Sequence, residues 1–534
     1  MVKRIKCHGL NRKDKRCGNY AEEGSLYCRQ HFDQDPEYKQ DSSKSKTTQD
    51  LSKPKLPLYK RPSFIYIISA ATVISLLIGV YAIYLSKDVA TKDDIENLKV
   101  YRAEVDPADV DKEIRSQEAQ DSSKIEKALT AYHQGVEYYE DNKFDKAIYS
   151  FSEAINSSPV PKLYLSRGNA YFSKNDFTNA VNDYTHAIDL NPNFVGALNN
   201  RGIAFEKIGE REKAFLDYSR AAELDPSFAA GPSCNIGRYW SDLGKHDKAI
   251  TYYNKAIKED SEFEVAYILR GLSYSKTSRY NLAIDDFTNA IRLIENRSKR
   301  KLYRSQKKAL SKVYYYRGIA LARISNDDKA KKDFFRSIDL DPGAPEAYVN
   351  LGIVMAKEGN YEGAIEKLSK GIELDNQYGF AFYNRGFAYY KLGQYNNAID
   401  DFSSAIRLNS EYAEAYQKRC LCYFKLGEYE KAIDDCDESI EIEPNKHEAY
   451  NNRGLAKRGI YNIAGAIEDF IEAIRNDPTA FEPYMNLAES YLLLNRKSEA
   501  LGELEHYLKI AKEGDPNIDI VKARIKEIQA ASGG

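Results

Sequence analysis

The sequence predicts an all-α protein: a long solenoid of antiparallel helix pairs, preceded by one apolar N-terminal span. Three observations predict it. A small residue recurs eleven times, mostly at intervals of 34 residues, and alanine stands twelve residues after every one. Between Pro62 and Ser86 no side chain is charged. Composition agrees. Of 534 residues, 43% are hydrophobic and 30% charged, which excludes wholesale disorder. Seven cysteines are too few for a disulfide-stapled scaffold. A mean hydropathy of −0.61 argues against a polytopic membrane protein but leaves room for one span. The formal charge of −2 conceals a polarised chain, because residues 1–61 alone hold 15 Lys+Arg against 8 Asp+Glu.

Residues 1–32 contain Cys7, Cys17, Cys28 and His31 but few apolar side chains. Three thiolates and an imidazole satisfy tetrahedral zinc, and a C-x2-H pair can chelate from one turn. His8 competes as fourth ligand, and free thiols in a basic tail are the alternative. The spacing resembles short treble-Cys-His zinc segments. Residues 33–61, rich in Ser, Lys, Asp and Pro, read as a basic flexible linker. The 22 residues from Phe64 to Leu85 would make about 33 Å of helix, against a hydrocarbon core of about 30 Å. Tyr59, Phe64 and Tyr66 flank one end and Tyr81 and Tyr84 the other, where amphipathic rings favour the headgroup boundary. Residues 62–86 are therefore expected to cross a membrane once, starting too far from residue 1 for a cleavable leader. Six basic residues precede the span closely and four follow it, which favours a cytoplasmic N-terminus with the large C-terminal part outside. Residues 87–127 read as a charged stalk.

The recurring small residues are Gly135, Gly168, Gly202, Gly237, Gly271, Gly318, Gly352, Gly386, Cys420, Gly454 and Ala488. An aromatic usually follows sixteen residues on, as at Phe151, Tyr184 and Phe402, and proline often closes the unit. Small residues at two fixed positions let two helices approach closely, with the aromatic filling the gap beside them. Gly209, Gly244, Gly359, Gly393 and Gly427 fall between the paired helices, where a left-handed cap needs no Cβ. The unit resembles the tetratricopeptide repeat, matched over its whole length by segments such as AFYNRGFAYYKLGQYNNAIDDFSSAIRLN at 381–409. The resemblance covers residues 128–510 and implies a right-handed superhelical solenoid. It also accounts for 42 tyrosines beside a single tryptophan, since Tyr138, Tyr171, Tyr274, Tyr389 and Trp240 share one repeat position. Residues 511–534 supply a capping helix and tail.

The family binds partners in a concave groove lined by the first helix of each repeat. Asn200, Asn384 and Asn452 in NRG triplets, with Asn350 and Asn486 at the same repeat position, are the groove candidates. Their amides can hydrogen-bond the main chain of an extended peptide without demanding a sequence. Tyr132, Phe172, Tyr315, Tyr383, Tyr390 and Phe424 are candidates beside them, with packing between neighbouring repeats as the alternative. The carboxylate-clamp subtype is not met. Asn169 and Asn200 stand where its asparagines would, but Leu165, Gly231 and Asn235 replace its three cations.

An insertion at about 296–308 carries Arg297, Lys299, Arg300, Lys301, Arg304, Lys307 and Lys308. It reads either as a cationic prong for phosphate, anionic lipid or an acidic partner, or as a solvated helix extension. Cys420 and Cys436 occupy facing positions of one repeat, and buried free thiols are expected there in preference to a disulfide. There is no P-loop, dinucleotide fingerprint, His-Glu-x-x-His or nucleophile elbow, and the histidines share no spacing. The expectation is a non-enzymatic, single-pass membrane scaffold that binds other proteins or extended peptides, with structural zinc in its tail. No nucleic-acid motif or small-molecule substrate is indicated. An import receptor with a cytosolic solenoid, binding chaperones or precursors, is the alternative.

Overall fold

The computed structural model describes residues 103, 105–117, 122–225, 229–297, 304–512 and 514–530, together with two short strands near the N-terminus. The chain divides into two compact units, Met1–Ile67 and Ile68–Gly534. In the first, β1 (Ile5–Lys6) pairs antiparallel with β2 (Tyr20–Ala21), Ile5 opposite Ala21 and Lys6 opposite Tyr20. The span expected at 62–86 and the cysteines and histidine expected to hold zinc lie outside the described residues. Among the described residues no helix is long and apolar enough to cross a membrane.

The described part of the second unit is helical throughout, with 24 helices. A short helix, α1 (Pro107–Arg115), precedes the repeats. Repeat one pairs α2 (Ser122–Glu140) with α3 (Phe144–Ser157). Repeat two pairs α4 (Pro161–Ser173) with α5 (Phe177–Leu190). Repeat three pairs α6 (Val195–Lys207) with α7 (Arg211–Leu224). Eight further pairs follow, ending in Phe481–Leu493 and Lys497–Ile510, and Ile518–Ala530 caps the stack. Two differences from expectation stand out. The first repeat begins at Ser122, and part of the supposed stalk is α1, which packs on α2 and α4.

The small residues do what their spacing predicts. A Cβ built on Gly168 would lie 2.6 Å from the Tyr184 ring, and one on Gly202 2.6 Å from Tyr218. Glycine therefore sets the separation of the paired helices, and any side chain there would drive them apart. In repeat nine this contact is replaced by a disulfide between Cys420 and Cys436, where free thiols were expected. The two positions face each other with Cα atoms 5.7 Å apart, inside the range a disulfide spans. Among the described residues, Cys234 and Cys422 are the buried free thiols instead.

An ion pair recurs beside the glycine. The arginine preceding the small residue forks onto an aspartate sixteen residues later, as Arg385 does with both oxygens of Asp401 at 2.8 and 2.7 Å. The third donor of that guanidinium reaches Ser369 of the previous repeat at 3.0 Å. Arg167, Arg201, Arg270, Arg317, Arg419 and Arg453 repeat the fork. One planar group thus ties two helices of its own repeat to the repeat before it, a task the point charge of lysine cannot perform.

The 13-residue insertion lengthens the second helix of repeat five to Tyr280–Arg297 and the first of repeat six to Arg304–Arg323. Lys307 and Lys308 are exposed there, whereas Lys299, Arg300 and Lys301 lie outside the described residues. For Arg297 and Arg304 only the helical backbone is described.

Each repeat turns between its helices on one residue with positive φ. Five are the expected glycines, Gly209 at +85° among them. Six are not glycine: Asn142, Asn175, Ser278, Ser325, Tyr461 and Asn495. Tyr461 is the costliest, a bulky residue at φ +63° that is 89% exposed and so gains little packing in return. Tyr461→Gly is expected to stabilise the solenoid by about 1 kcal/mol. Thermal melting of the two chains, with Tyr461→Ala as a control that should gain nothing, checks this.

Candidate functional site

From repeat four to repeat eleven the first helices of neighbouring repeats touch one another as well as their own partners, and in repeats two to four Asn200 joins Asn169 and Asn235 joins Asn199. They therefore form the inner layer of the curved stack, and the repeat positions two before and one after the small residue face that inner side. His133, Asn169 and Asn200 occupy these positions in repeats one, two and three.

These three residues meet a segment of the chain's own N-terminal extension. Asn200 on α6 accepts from the Ala103 amide through Oδ1 at 2.8 Å and donates to the Ala103 carbonyl through Nδ2 at 2.9 Å. Asn169 on α4 donates to the same carbonyl at 3.3 Å. Behind them the amides are locked in place. Asn200 Nδ2 also donates to Asn169 Oδ1 at 3.0 Å, Tyr184 donates to that oxygen at 2.9 Å, and Asn235 reaches Asn199 at 3.0 Å. A side-chain amide has the donor–acceptor geometry of a peptide unit, so Asn200 can pair with both groups of one residue at once. The row is fully hydrogen-bonded and buried, which fixes its orientation.

From Ala103 the segment continues along the inner side toward repeat one. Val105 and Tyr164 of α4 pack against the same two apolar clusters. Asp106 caps α1, accepting from the Ala108 amide at 2.9 Å, and Pro107 opens the helix. Val110 and Ile114 are fully buried against the first repeats. Lys162 donates to the Asp109 carbonyl at 3.3 Å, and His133 Nε2 lies 3.1 Å from the Asp111 carboxylate. Gly196 in the first turn of α6 admits this segment: a Cβ there would sit 3.1 Å from the Ala103 methyl.

The other expected groove residues divide. Asn384 is half-buried, its Nδ2 donating to the Phe380 carbonyl of its own helix at 2.8 Å. Asn486, also half-buried, donates to Asn451 at 2.9 Å. Asn350 is buried, with its Nδ2 shared between the Glu346 carbonyl and the Tyr315 hydroxyl, and Asn452 is buried as well. Tyr132, Tyr315 and Tyr383 are also buried, because their register places the ring between neighbouring helices rather than on an open face. Tyr383, for example, packs on Phe402 and Tyr412 at 5.7 and 5.0 Å. Phe172, Tyr390 and Phe424 remain half-buried, each against the aromatic that opens its own second helix. Among the described residues no cluster of His, Cys, Asp and Glu could hold a metal ion.

Ala103, Gly196 and the arginine forks were not anticipated. The forks had a signal, an Arg-small pair followed sixteen residues on by Asp-aromatic. Ala103 had none, because its partner Asn200 is 97 residues away.

Several family models match the repeats. TPR repeat models match residues 168–209 and 356–393. Tetratricopeptide repeat models match 233–263, 265–297, 380–412, 413–446 and 451–516. The chain carries tetratricopeptide repeats. Among curated proteins it is similar to small glutamine-rich tetratricopeptide repeat-containing protein 2 of Mycosarcoma maydis, 33% identical over 21% of this chain and 31% of that protein. It is also similar to Hsp70-Hsp90 organizing protein 3 of Arabidopsis thaliana, 33% identical over 18% and 17%. Stress-induced-phosphoprotein 1 of Caenorhabditis elegans is 25% identical over 29% and 48%. The chain thus spans less than half the length of each of these relatives. Among solved structures, MamA is 32% identical with a TM-score of 0.29, over 30% of this chain and 94% of that one. YrrB, a TPR protein with an unusual peptide-binding site, is 24% identical with a TM-score of 0.31, over 37% and 95%.

Repeat nine also differs from its two neighbours on the inner face. Lys418 stands where repeats eight and ten have Asn384 and Asn452, and it is only 8% exposed. Burial pushes its ammonium down to about 8, with Lys391 and Lys446 adding to the effect and Glu448 opposing it. The adjacent Cys422 thiol is pushed up to about 12 by burial and stays protonated. Below pH 8 the folded chain holds a buried charge; between pH 8 and 10.5 it has released a proton that the unfolded chain still binds. Stability therefore rises with pH across that window. Lys418→Asn is expected to stabilise the chain by about 3 kcal/mol at pH 7 and by much less at pH 10. Denaturant titrations at the two pH values check both the sign and the trend.

Proposed function

We propose that this chain is a scaffold that binds extended segments of partner proteins along the inner face of its tetratricopeptide solenoid. One observation carries the reading: the Asn200 amide, at a position repeated along the inner helices, holds both main-chain groups of Ala103. Asn384 and Asn486 stand half-buried at the same position in repeats eight and eleven. The similarity to an Hsp70-Hsp90 organizing protein supports a protein-binding role but not its carboxylate chemistry, since the three clamp cations are missing here.

The finer reading anchors the scaffold in a membrane through residues 62–86, with the N-terminus cytoplasmic and the solenoid outside. Support comes from the uncharged span and its charge asymmetry, and from the Cys420–Cys436 disulfide, which suits an oxidising compartment. Zinc held by Cys7, Cys17, Cys28 and His31 would stabilise the tail, and Cys7 directly follows β1. Zinc content unchanged in Cys17→Ser and Cys28→Ser chains would remove that part.

Affinity capture with the full chain tests the central claim. Partners held by wild type should be depleted at least fivefold by Asn384→Ala combined with Asn486→Ala, while thermal melting shows that the solenoid still unfolds cooperatively. Equal capture by both chains would count against groove binding. Protease digestion of the solenoid on intact membrane vesicles reports its side: protection supports the outside placement, and cleavage from the cytosolic face reverses it.

A further inference from the structure

The N-terminal extension sits on the same positions of the inner helices through which the scaffold is read to bind its partners. Three features show how specific that seat is. Both main-chain groups of Ala103 are bound by one buried asparagine, with a second asparagine on the carbonyl. The Ala103 methyl lies against Gly196, where an added Cβ would crowd it at 3.1 Å. Val105, Val110 and Ile114 are then fixed on α2, α4 and their neighbours. The seat also explains the missing cations. A carboxylate needs charged donors, whereas the internal peptide unit at Ala103 is neutral and is satisfied by neutral amides.

We infer that repeats one to three form a binding site for an internal, extended peptide segment with a small residue at the asparagine clamp and a β-branched residue two positions later, and that Ala103 and residues 105–114 of this chain occupy it as a built-in competitor. This rests on the inner-face reading above and sharpens it: the N-terminal groove is closed in the resting chain, and the groove of the later repeats is not. The extension is held by four hydrogen bonds to its main-chain groups, by the buried Val110 and Ile114 and by the half-buried Val105. It competes at the effective concentration of a tethered ligand, in the millimolar range for a short connection. An external segment of the same pattern therefore gains access only when it is abundant, multivalent or helped by another contact that pulls the extension away. The chain direction is also set, since residue 103 lies at repeats two and three and residue 114 at repeat one. A competing ligand runs antiparallel to the repeat order.

A fluorescently labelled synthetic peptide of residues 101–116, YRAEVDPADVDKEIRS, tests this with the full chain in detergent. Binding to wild type should be at least tenfold weaker than binding to Val110→Asp/Ile114→Asp, in which the extension loses its apolar hold. Adding Asn200→Ala to that double variant should weaken binding at least tenfold again. Gly196→Val provides a second route, because it blocks the seat from the groove side: it should expose the extension to protease cleavage without restoring peptide binding. Hydrogen exchange in repeats seven to eleven, unchanged across all variants, shows that the solenoid remains folded. Equal binding to wild type and the double variant, no binding to the double variant, or indifference to Asn200→Ala would each overturn the inference. The peptide reads repeats one to three alone. A chain that passes this test but captures no partner through Asn384 and Asn486 would therefore lose the scaffold reading and keep the self-occupied site.

Discussion

The architecture depends on how closely the two helices of each repeat approach. Where Gly168 meets the Tyr184 ring there is no room for a Cβ, and the same contact recurs with Phe or Tyr in most of the other repeats. Close approach buries the aromatic completely and fixes the thickness of each unit. Repeats of constant thickness stack with a constant offset, so a residue at one repeat position reappears at regular intervals along the inner face. The arginine fork then fixes register, because a bidentate contact tolerates little sliding and its third donor reaches the preceding repeat. Repeat nine keeps the geometry by other means, with a disulfide between the two positions.

From that regularity follows the kind of recognition the inner face supports. Neutral amides held by neighbouring amides and a buried tyrosine hydroxyl are rigid, so they meet a peptide unit without first reorganising. They bond the main chain of Ala103, whose methyl lies against Gly196. In repeat nine Lys418 places a charge where repeats eight and ten have the neutral Asn384 and Asn452.

Much of this was legible in the chain. The 34-residue spacing located all eleven helix pairs, the lengthened pair around the insertion and the glycine turns, because each is a local consequence of helix packing. Left-handed turns at Asn142, Ser278 and Tyr461 were not legible as such, since the surrounding repeats impose a conformation those residues do not prefer by themselves. The groove asparagines were found by position, but position alone did not separate Asn200, which holds a peptide unit, from Asn350, whose amide is taken by Tyr315. The tyrosines expected in the groove lie one helical step round, between neighbouring repeats. The least legible feature was the extension. Its charged composition reads as a stalk, and its buried residues, Val110 and Ile114, are too few to announce a packed helix. Its seat depends on contacts that span up to 97 residues.

Main-chain recognition by the asparagine pair is the claim on which the account turns. The most direct measurement compares two versions of the 101–116 peptide bound to the Val110→Asp/Ile114→Asp chain, one unmodified and one N-methylated at Ala103. N-methylation removes the hydrogen that Asn200 Oδ1 accepts and alters no side chain. The account predicts at least a tenfold loss of affinity for the methylated peptide, and a much smaller loss on methylation when Asn200 is alanine, because the Oδ1 acceptor is then already gone. Equal affinity for the two peptides would contradict it.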